Sequence, residues 1–143
     1  MRIALVVHKF PPASVGGTEV YTLNLARALA GRGHEVFVFY RNDRMAEEGG
    51  IGVWEEREGF RAFRIARRFH PSSASLLEHF WNTFWNPDVE ESFERFLDET
   101  RPDVVHFQHL MGLSYRLIAS ARRRGLPAVL TLHDYWFLCG NAQ

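Results

Sequence analysis

A chain of 143 residues, of which 46% are hydrophobic and 14% aromatic, has the size and composition of one globular domain and is too apolar to be an intrinsically disordered segment. Its 17 Lys and Arg residues balance 17 Asp and Glu residues, so no global electrostatic field would recruit nucleic acid or an acidic membrane. The single cysteine, Cys139, excludes an internal disulfide framework and a cysteine metal site, and it favours a reducing compartment.

The first predicted elements are a strand, a helix and a second strand. Residues 2–7 form a continuous aliphatic run, which is typical of a strand buried on both faces of a parallel sheet. A helix is predicted over residues 18–30, and Gly31 and Gly33 supply its stop. Its expected apolar face is formed by Tyr21, Leu25, Ala28 and Leu29. Residues 36–40 are again apolar without alternation, so the three elements predict a right-handed βαβ unit.

The apolar run at the start of the chain also bears on its location. Residues 3–7 are too few to span a membrane or to form the core of a signal peptide, and His8 and Lys9 follow at once. We therefore expect a cytoplasmic protein.

The middle of the chain is rich in glycine and polar residues. Glycines punctuate a polar stretch over residues 42–59, which predicts a hairpin insertion around Val53 and Trp54. Residues 60–66 could form its second strand. The spacing of Arg61, Arg64 and Arg68 would also suit one face of a helix, and periodicity alone leaves both alternatives open.

Two helices are predicted next. Residues 75–78 have the pattern of a capping box, which begins a short aromatic helix that ends before Asn86. Asn86 is then the expected N-cap of a second helix, with Pro87 in its first turn and acidic residues near the positive end of its dipole.

The last third predicts two more strands around a helix. Residues 104–107 form an apolar strand, and residues 127–132 form another. Leu113, Leu117 and Ala121 mark the helix between them, which ends in three arginines and Gly125. The predicted fold class is therefore α/β, a Rossmann-like parallel sheet with helices on both faces.

Several motifs occur along the chain in a defined order. These are Pro11-Pro12, Gly16-Gly17, Glu19, Gly33-His34-Glu35-Val36, Arg101-Pro102-Asp103-Val104-Val105-His106, Gly125-Leu126-Pro127 and Thr131-Leu132-His133-Asp134. The set resembles family 4 retaining glycosyltransferases of GT-B fold, over nearly the whole chain and most weakly between residues 42 and 86.

That resemblance implies the architecture and the activity. In the family, two Rossmann-like domains face each other, the first mainly binding the acceptor and the second the nucleotide-sugar. Residues 1–143 would then be a single N-terminal, acceptor-side domain, truncated before its final strands, with the C-terminal donor-binding domain absent. The intact enzyme would transfer a sugar from a nucleotide-diphosphate sugar to an unidentified acceptor hydroxyl. The nucleotide-sugar is a co-substrate, and no cofactor or metal is implied.

Gly16 and Gly17 precede a predicted helix N-terminus, where free amides and the helix dipole can hold a phosphate. The spacing alone favours a tight turn into a helix as the reason for the two glycines. The resemblance implies that this loop lies against the donor diphosphate. Glu19 lies in the first helical turn, where an acid favours the dipole, and we expect it to be structural.

His133 and Asp134 follow the last predicted strand, at the sheet edge where α/β proteins bind ligands. A histidine bonded to neighbouring backbone at a strand end is the structural alternative. The resemblance implies that His133 contacts the transferred sugar or the acceptor, which makes it the catalytic candidate. Asp134 and His109 are the accompanying candidates for substrate binding.

The histidines also have the residue types of a metal site. His106 and His109 lie one strand from His133 and Asp134, but strand geometry sends residues 106 and 109 to opposite faces. We therefore expect no metal.

Basic and aromatic residues interleave after the predicted hairpin. The set comprises Phe60, Arg61, Phe63, Arg64, Arg67, Arg68 and Phe69, and the aromatic helix follows it. It would suit weak contact with a membrane surface, which would place the protein peripherally at the inner face, or with a lipid-linked acceptor. A solvated strand edge beside a core helix is the alternative, which the helical spacing of the aromatics favours.

A rival interpretation belongs to another class of protein. The same sequence could be a non-catalytic Rossmann-like binding module, or a partner subunit whose cleft another protein completes.

Overall fold

The fold is a single mixed sheet with helices on both faces. A computed structural model describes residues 1–42, 52–66 and 83–135 of the chain. The strands are β1 (Arg2–Val7), β2 (Glu35–Arg41), β3 (Val53–Arg57), β4 (Phe60–Ile65), β5 (Val104–His109) and β6 (Ala128–Leu130). The helices are α1 (Gly17–Gly31), α2 (Pro87–Thr100) and α3 (Arg116–Arg123).

The strand order across the sheet is β3-β4-β2-β1-β5-β6. Every pairing is parallel except that between β3 and β4, which is antiparallel. The central strand β1 therefore lies between β2 and β5. This confirms the predicted α/β class and the first strand-helix-strand unit.

Alternation along the buried strands divides the core into two layers. On β1, Ile3, Leu5 and Val7 face α1, whereas Ala4 and Val6 belong to the cluster formed with α2 and α3. Successive side chains of a strand point to opposite faces, so an uninterrupted apolar run is what a strand covered by helices on both sides requires.

Helix α1 packs on a different face from the one predicted. Its buried residues are Glu19, Thr22 and Ala26, while Tyr21 is 44% exposed and Ala28 is also exposed. The expected apolar face was therefore partly wrong. Small and polar side chains form the contact with the sheet, and Leu23, Leu25 and Leu29 pack beside it only partly buried.

The hairpin insertion is confirmed, and its second arm is a strand. β4 pairs with both β2 and β3, so its alternate side chains face opposite sides of the sheet. Arg64 points inward and contacts Glu55 at 2.7 Å, whereas Arg61 pairs with Glu56 at 2.9 Å. Strand pairing thus excludes the shared helical face that the arginine spacing allowed.

Helix α2 begins as its sequence predicts. The side-chain oxygen of Asn86 accepts a hydrogen bond from the backbone N–H of Val89 at 3.4 Å, and Pro87 occupies the first turn. The predicted capping box at residues 75–78 lies outside the described residues. None of the helices in the described ranges is long and apolar enough to cross a membrane.

Candidate functional site

Polar residues converge where the parallel strands end. His8 directly follows β1, His109 ends β5, and His133 and Asp134 lie shortly after β6. The carboxyl ends of parallel strands meet at one edge of a sheet, and the start of α1 lies at the same edge. The structure therefore brings together side chains that are more than a hundred residues apart in sequence.

The Gly16–Gly17 loop forms the start of α1. Gly16 is the N-cap in an extended conformation (φ −133°, ψ 177°), and no side chain caps the helix. The N–H groups of a first helical turn have no partner within the helix, so they remain available to an acceptor. Gly17 is exposed to solvent, which leaves this turn accessible.

The two glycines have different packing roles. A Cβ added to Gly16 would lie 2.5 Å from Oε2 of Glu19, closer than such atoms approach in proteins. A Cβ added to Gly17 would meet nothing within 4 Å. A side chain at residue 16 would therefore have to displace the buried carboxylate of Glu19, whereas the space around residue 17 is open.

Glu19 is a buried acid beneath this loop. It lies in the first turn of α1 as expected, and it is only 6% exposed. Its Oε1 accepts a hydrogen bond from the hydroxyl of Ser14 at 2.9 Å and lies 3.8 Å from Nε2 of His8. The carboxylate thus bonds the loop before α1 to the first turn of that helix, beside His8 at the end of β1.

His8 was not a candidate in the sequence, although a histidine directly after a buried strand is a usable signal. Its ring lies 4.6 Å from that of His109, centroid to centroid. Burial, and then the neighbouring His109, lower the pKa of His8 to about 4, against the opposing effect of Glu19. His8 is therefore neutral at neutral pH.

The structure pairs His109 with Asp134. Nε2 of His109 lies 3.1 Å from Oδ2 of Asp134, and its Nδ1 accepts the backbone N–H of Met111 at 3.1 Å. A neutral imidazole has one donor and one acceptor nitrogen, so Nε2 carries the proton and donates it to the carboxylate. Both ring nitrogens of His109 thus have partners within the chain.

His133 lies against α1 and β5. Its Nε2 is 2.8 Å from Oε1 of Gln108, and its ring meets the ring of Tyr21 edge-on at 5.0 Å. Burial and then His109 lower the pKa of His133, while Asp134 and Glu19 act in the opposite direction. Gln108 was missed in the sequence, because the predicted strand ended at residue 107 whereas β5 continues to His109.

The histidines do not form a metal site among the described residues, where no group of three potential ligands is suitably placed. His106 instead contacts the hydroxyl of Thr131 at 2.7 Å. A register shift in the pairing of β1 with β5 sets Val6 opposite Phe107 and Val7 opposite His109. This irregularity interrupts the simple alternation expected between residues 106 and 109.

Residues 60–65 of the basic and aromatic segment form strand β4 of the hairpin. Arg64 is buried against Glu55, and the Arg61 guanidinium lies 4.3 Å from the ring centre of Trp54 while pairing with Glu56. Arg67, Arg68 and Phe69 lie outside the described residues. The described arginines therefore stabilise the sheet edge.

The chain resembles known proteins in sequence and in structure. An uncharacterized glycosyltransferase of Methanocaldococcus jannaschii is 27% identical over 140 residues, covering 94% of this chain and 31% of that protein. A sucrose-phosphate synthase from Thermosynechococcus elongatus superposes with a TM-score of 0.67 at 20% identity, over 95% of this chain and 34% of its own. A UDP-forming trehalose-phosphate synthase from Burkholderia vietnamiensis follows with a TM-score of 0.56 at 14% identity, over 94% and 33%.

This chain therefore spans about a third of the length of these relatives. Its sheet is the N-terminal Rossmann-like half of a GT-B fold. The family model described as Glycosyltransferase Family 4 matches residues 15–142, nearly the whole chain. The chain belongs to Glycosyltransferase Family 4.

Proposed function

We propose that this chain is the acceptor-side domain of an enzyme that transfers a sugar from a nucleotide-diphosphate sugar to an acceptor hydroxyl, with retention at the anomeric carbon. The observation that carries the proposal is the contact between His133 and α1. The ring of His133 contacts Tyr21 of α1, and no side chain caps the first turn of this helix, so an anion can bind there. A charged leaving group and a hydrogen-bonding imidazole can therefore meet at one edge of the sheet.

The start of α1 would serve the departing diphosphate. Glycosyl transfer breaks the bond between the anomeric carbon and a phosphate oxygen, so negative charge develops on the diphosphate while the sugar gains oxocarbenium character. Backbone N–H groups and a helix dipole stabilise such charge without reorganisation. Gly17, the exposed first residue of the helix, would lie closest to such an anion, and the buried Glu19 carboxylate next to Gly16 would limit how deeply the anion can enter.

His133 would hold the transferred sugar or the acceptor in line. A neutral imidazole can accept a hydrogen bond from a sugar hydroxyl, and burial favours the neutral form by lowering the pKa of His133. Asp134 would bind a hydroxyl beside it. His109 would act mainly through Asp134, because its ring already donates to that carboxylate.

The proposed donor site includes residues outside this chain. The relatives are about three times as long, which supports a second, donor-binding domain in the longer protein that supplies the basic groups for the diphosphate. We expect this chain alone to bind UDP and GDP sugars too weakly to measure. Micromolar affinity of this chain for either sugar nucleotide by isothermal titration calorimetry would contradict the proposal that a second domain supplies most of the donor site.

The transfer reaction is tested in the longer protein with a panel of nucleotide sugars and hydroxyl acceptors. We expect transfer, a product whose anomeric configuration matches the donor by NMR, and a loss of about 100-fold in kcat/KM for His133→Ala. His34→Ala is the matched control, since His34 lies in the turn that enters β2 at the opposite end of the sheet. Nucleotide-sugar binding without turnover would favour the non-catalytic binding module instead.

A further inference from the structure

Gln108 is a fully buried polar side chain that directly contacts the candidate catalytic residue. It lies on β5 with no exposed surface, and its Oε1 is 2.8 Å from Nε2 of His133. Within residues 1–42, 52–66 and 83–135, no other hydrogen bond to the ring of His133 is formed. Burying an amide inside a sheet is costly unless its hydrogen bonds are made, so this contact accounts for its presence only in part.

The other end of the same amide has no partner in the described part of the chain. Nε2 of Gln108 is buried and makes no hydrogen bond there. Buried unsatisfied polar atoms are rare in folded proteins, and each one calls for an explanation. The contact with the His133 ring is thus the hydrogen bond that holds the Gln108 amide, and the NH₂ group of that amide makes none among the described residues.

We propose that Gln108 is a positioning residue that fixes the proton of His133 on Nε2. A carbonyl oxygen can only accept a hydrogen bond, so a ring nitrogen 2.8 Å away must donate one. The remaining nitrogen, Nδ1, is then the acceptor in the neutral ring. Hydrogen-bond partners of this kind, acting through a functional imidazole, set both its tautomer and its orientation.

The neighbours of His133 cannot provide the same control. Tyr21 from α1 contacts the ring through its edge or face. His109, Asp134 and Glu19 influence the ring only through charge, and His106 is coupled to it in the same way. None of these groups forms a hydrogen bond with one particular nitrogen of the His133 ring. Among the described residues, Gln108 forms that bond.

A catalytic use of the His133 tautomer protonated on Nε2 rests on the proposed function. The presence of that tautomer does not depend on the proposed function. With Nε2 committed to Gln108, His133 offers Nδ1 to a substrate hydroxyl as an acceptor. The ligand class recognised by this nitrogen is therefore a hydrogen-bond donor, such as a sugar hydroxyl, and not a phosphate oxygen.

The proposal is tested by NMR on the ¹⁵N-histidine-labelled chain, with the His133 signals assigned by their loss in His133→Asn. We expect wild type to carry its proton on Nε2, with a slowly exchanging Nε2–H resonance. Gln108→Leu should abolish that resonance. Gln108→Glu should retain it and raise the titration midpoint of His133, because a carboxylate both accepts the hydrogen bond and favours the charged ring. The signals of His34 should not change in any variant.

A proton on Nδ1 in wild type would overturn the proposal, as would an unchanged Nε2–H resonance in Gln108→Leu. Should Gln108→Leu not fold, an unchanged titration midpoint in Gln108→Glu would overturn it equally. In the longer protein we expect Gln108→Leu to lower kcat by about 10-fold to 100-fold with little change in KM, and Gln108→Glu to recover part of the loss. Absence of transfer by the wild-type protein would refute the proposed function and leave the NMR result standing.

Discussion

The carboxylate of Glu19 occupies the space into which a side chain at Gly16 would project. A Cβ on Gly16 would lie 2.5 Å from Oε2 of Glu19, whose Oε1 is bonded to the hydroxyl of Ser14. A larger residue at position 16 would therefore have to move a buried acid of the same protein. This relationship holds whether or not an anion binds at the adjacent helix terminus.

Gly16→Ala should destabilise the chain by about 1–3 kcal/mol, because the new methyl group must displace the buried carboxylate of Glu19. Gly17→Ala is the matched control: its Cβ would meet nothing within 4 Å, and alanine favours a helical position. Urea unfolding of both variants measures the difference. Equal stabilities would contradict the packing role of Gly16.

Acid should destabilise the native state through His8. The pKa of His8 is lowered from 6.5 to about 4 by burial, so between these pH values the unfolded chain binds a proton that the native chain excludes. Stability is therefore full above about pH 6.5 and falls as the pH drops toward 4, by about 3 kcal/mol from this residue.

The variant His8→Gln should remove this part of the pH dependence, since glutamine does not titrate. The measurement is the free energy of unfolding at pH 7 and at pH 4.5, compared between wild type and variant. His34→Gln serves as the control at the other end of the sheet. The idea fails if the variant loses as much stability between the two pH values as wild type does.

The hairpin offers a second matched pair of variants. Glu55 contacts the buried Arg64 at 2.7 Å and also accepts hydrogen bonds from Arg57 and Tyr40. Glu55→Ala should cost about 3 kcal/mol, because it leaves a buried guanidinium without its partner. It should also lower the pKa of Tyr40, which burial and then Glu55 raise to about 12.

Glu56→Ala is the control, because the pair of Glu56 with Arg61 is exposed and should contribute no more than about 1 kcal/mol. Thermal unfolding and the absorbance titration of tyrosine provide the two measurements. A Glu55→Ala variant as stable as Glu56→Ala would show that the buried pair does not stabilise the hairpin.

Asp134 should control the protonation of His133. Its charge opposes the lowering of the pKa of His133 by burial and by His109, so Asp134→Asn should lower that pKa further. The same change should lower the pKa of Tyr115, which burial and Asp134 raise to about 12. An NMR titration of His133 follows the main effect.

Asp103→Asn is the appropriate comparison for this experiment. Asp103 precedes β5 at the opposite end of the strand, where it accepts the backbone N–H of Arg2 at 2.7 Å. Its replacement should leave the titration of His133 unchanged. An equal shift in both variants would indicate a global change in the fold instead of a local charge effect.

Much of the architecture could be predicted because it depends on neighbours in the chain. Uninterrupted apolar runs predicted β1 and β2, and Asn86 followed by Pro87 predicted the start of α2. These signals act within a few residues, through side-chain alternation and the capping of free backbone groups. The ordered motifs predicted the family, and the match of the family model to residues 15–142 confirms it.

The sequence alone thus determined the fold class, the family and the edge of the sheet at which His133 and Asp134 lie. Only the tertiary structure decided that residues 60–65 form a strand, that Tyr21 turns toward His133, and that Glu19, His8 and Gln108 are buried there. The reason is physical: pairing with β2 and β3, the rotation of α1 on the sheet and the register shift between β1 and β5 are contacts between distant segments. The residues of one short segment do not determine the energies of such contacts, because the partner residues lie elsewhere in the chain.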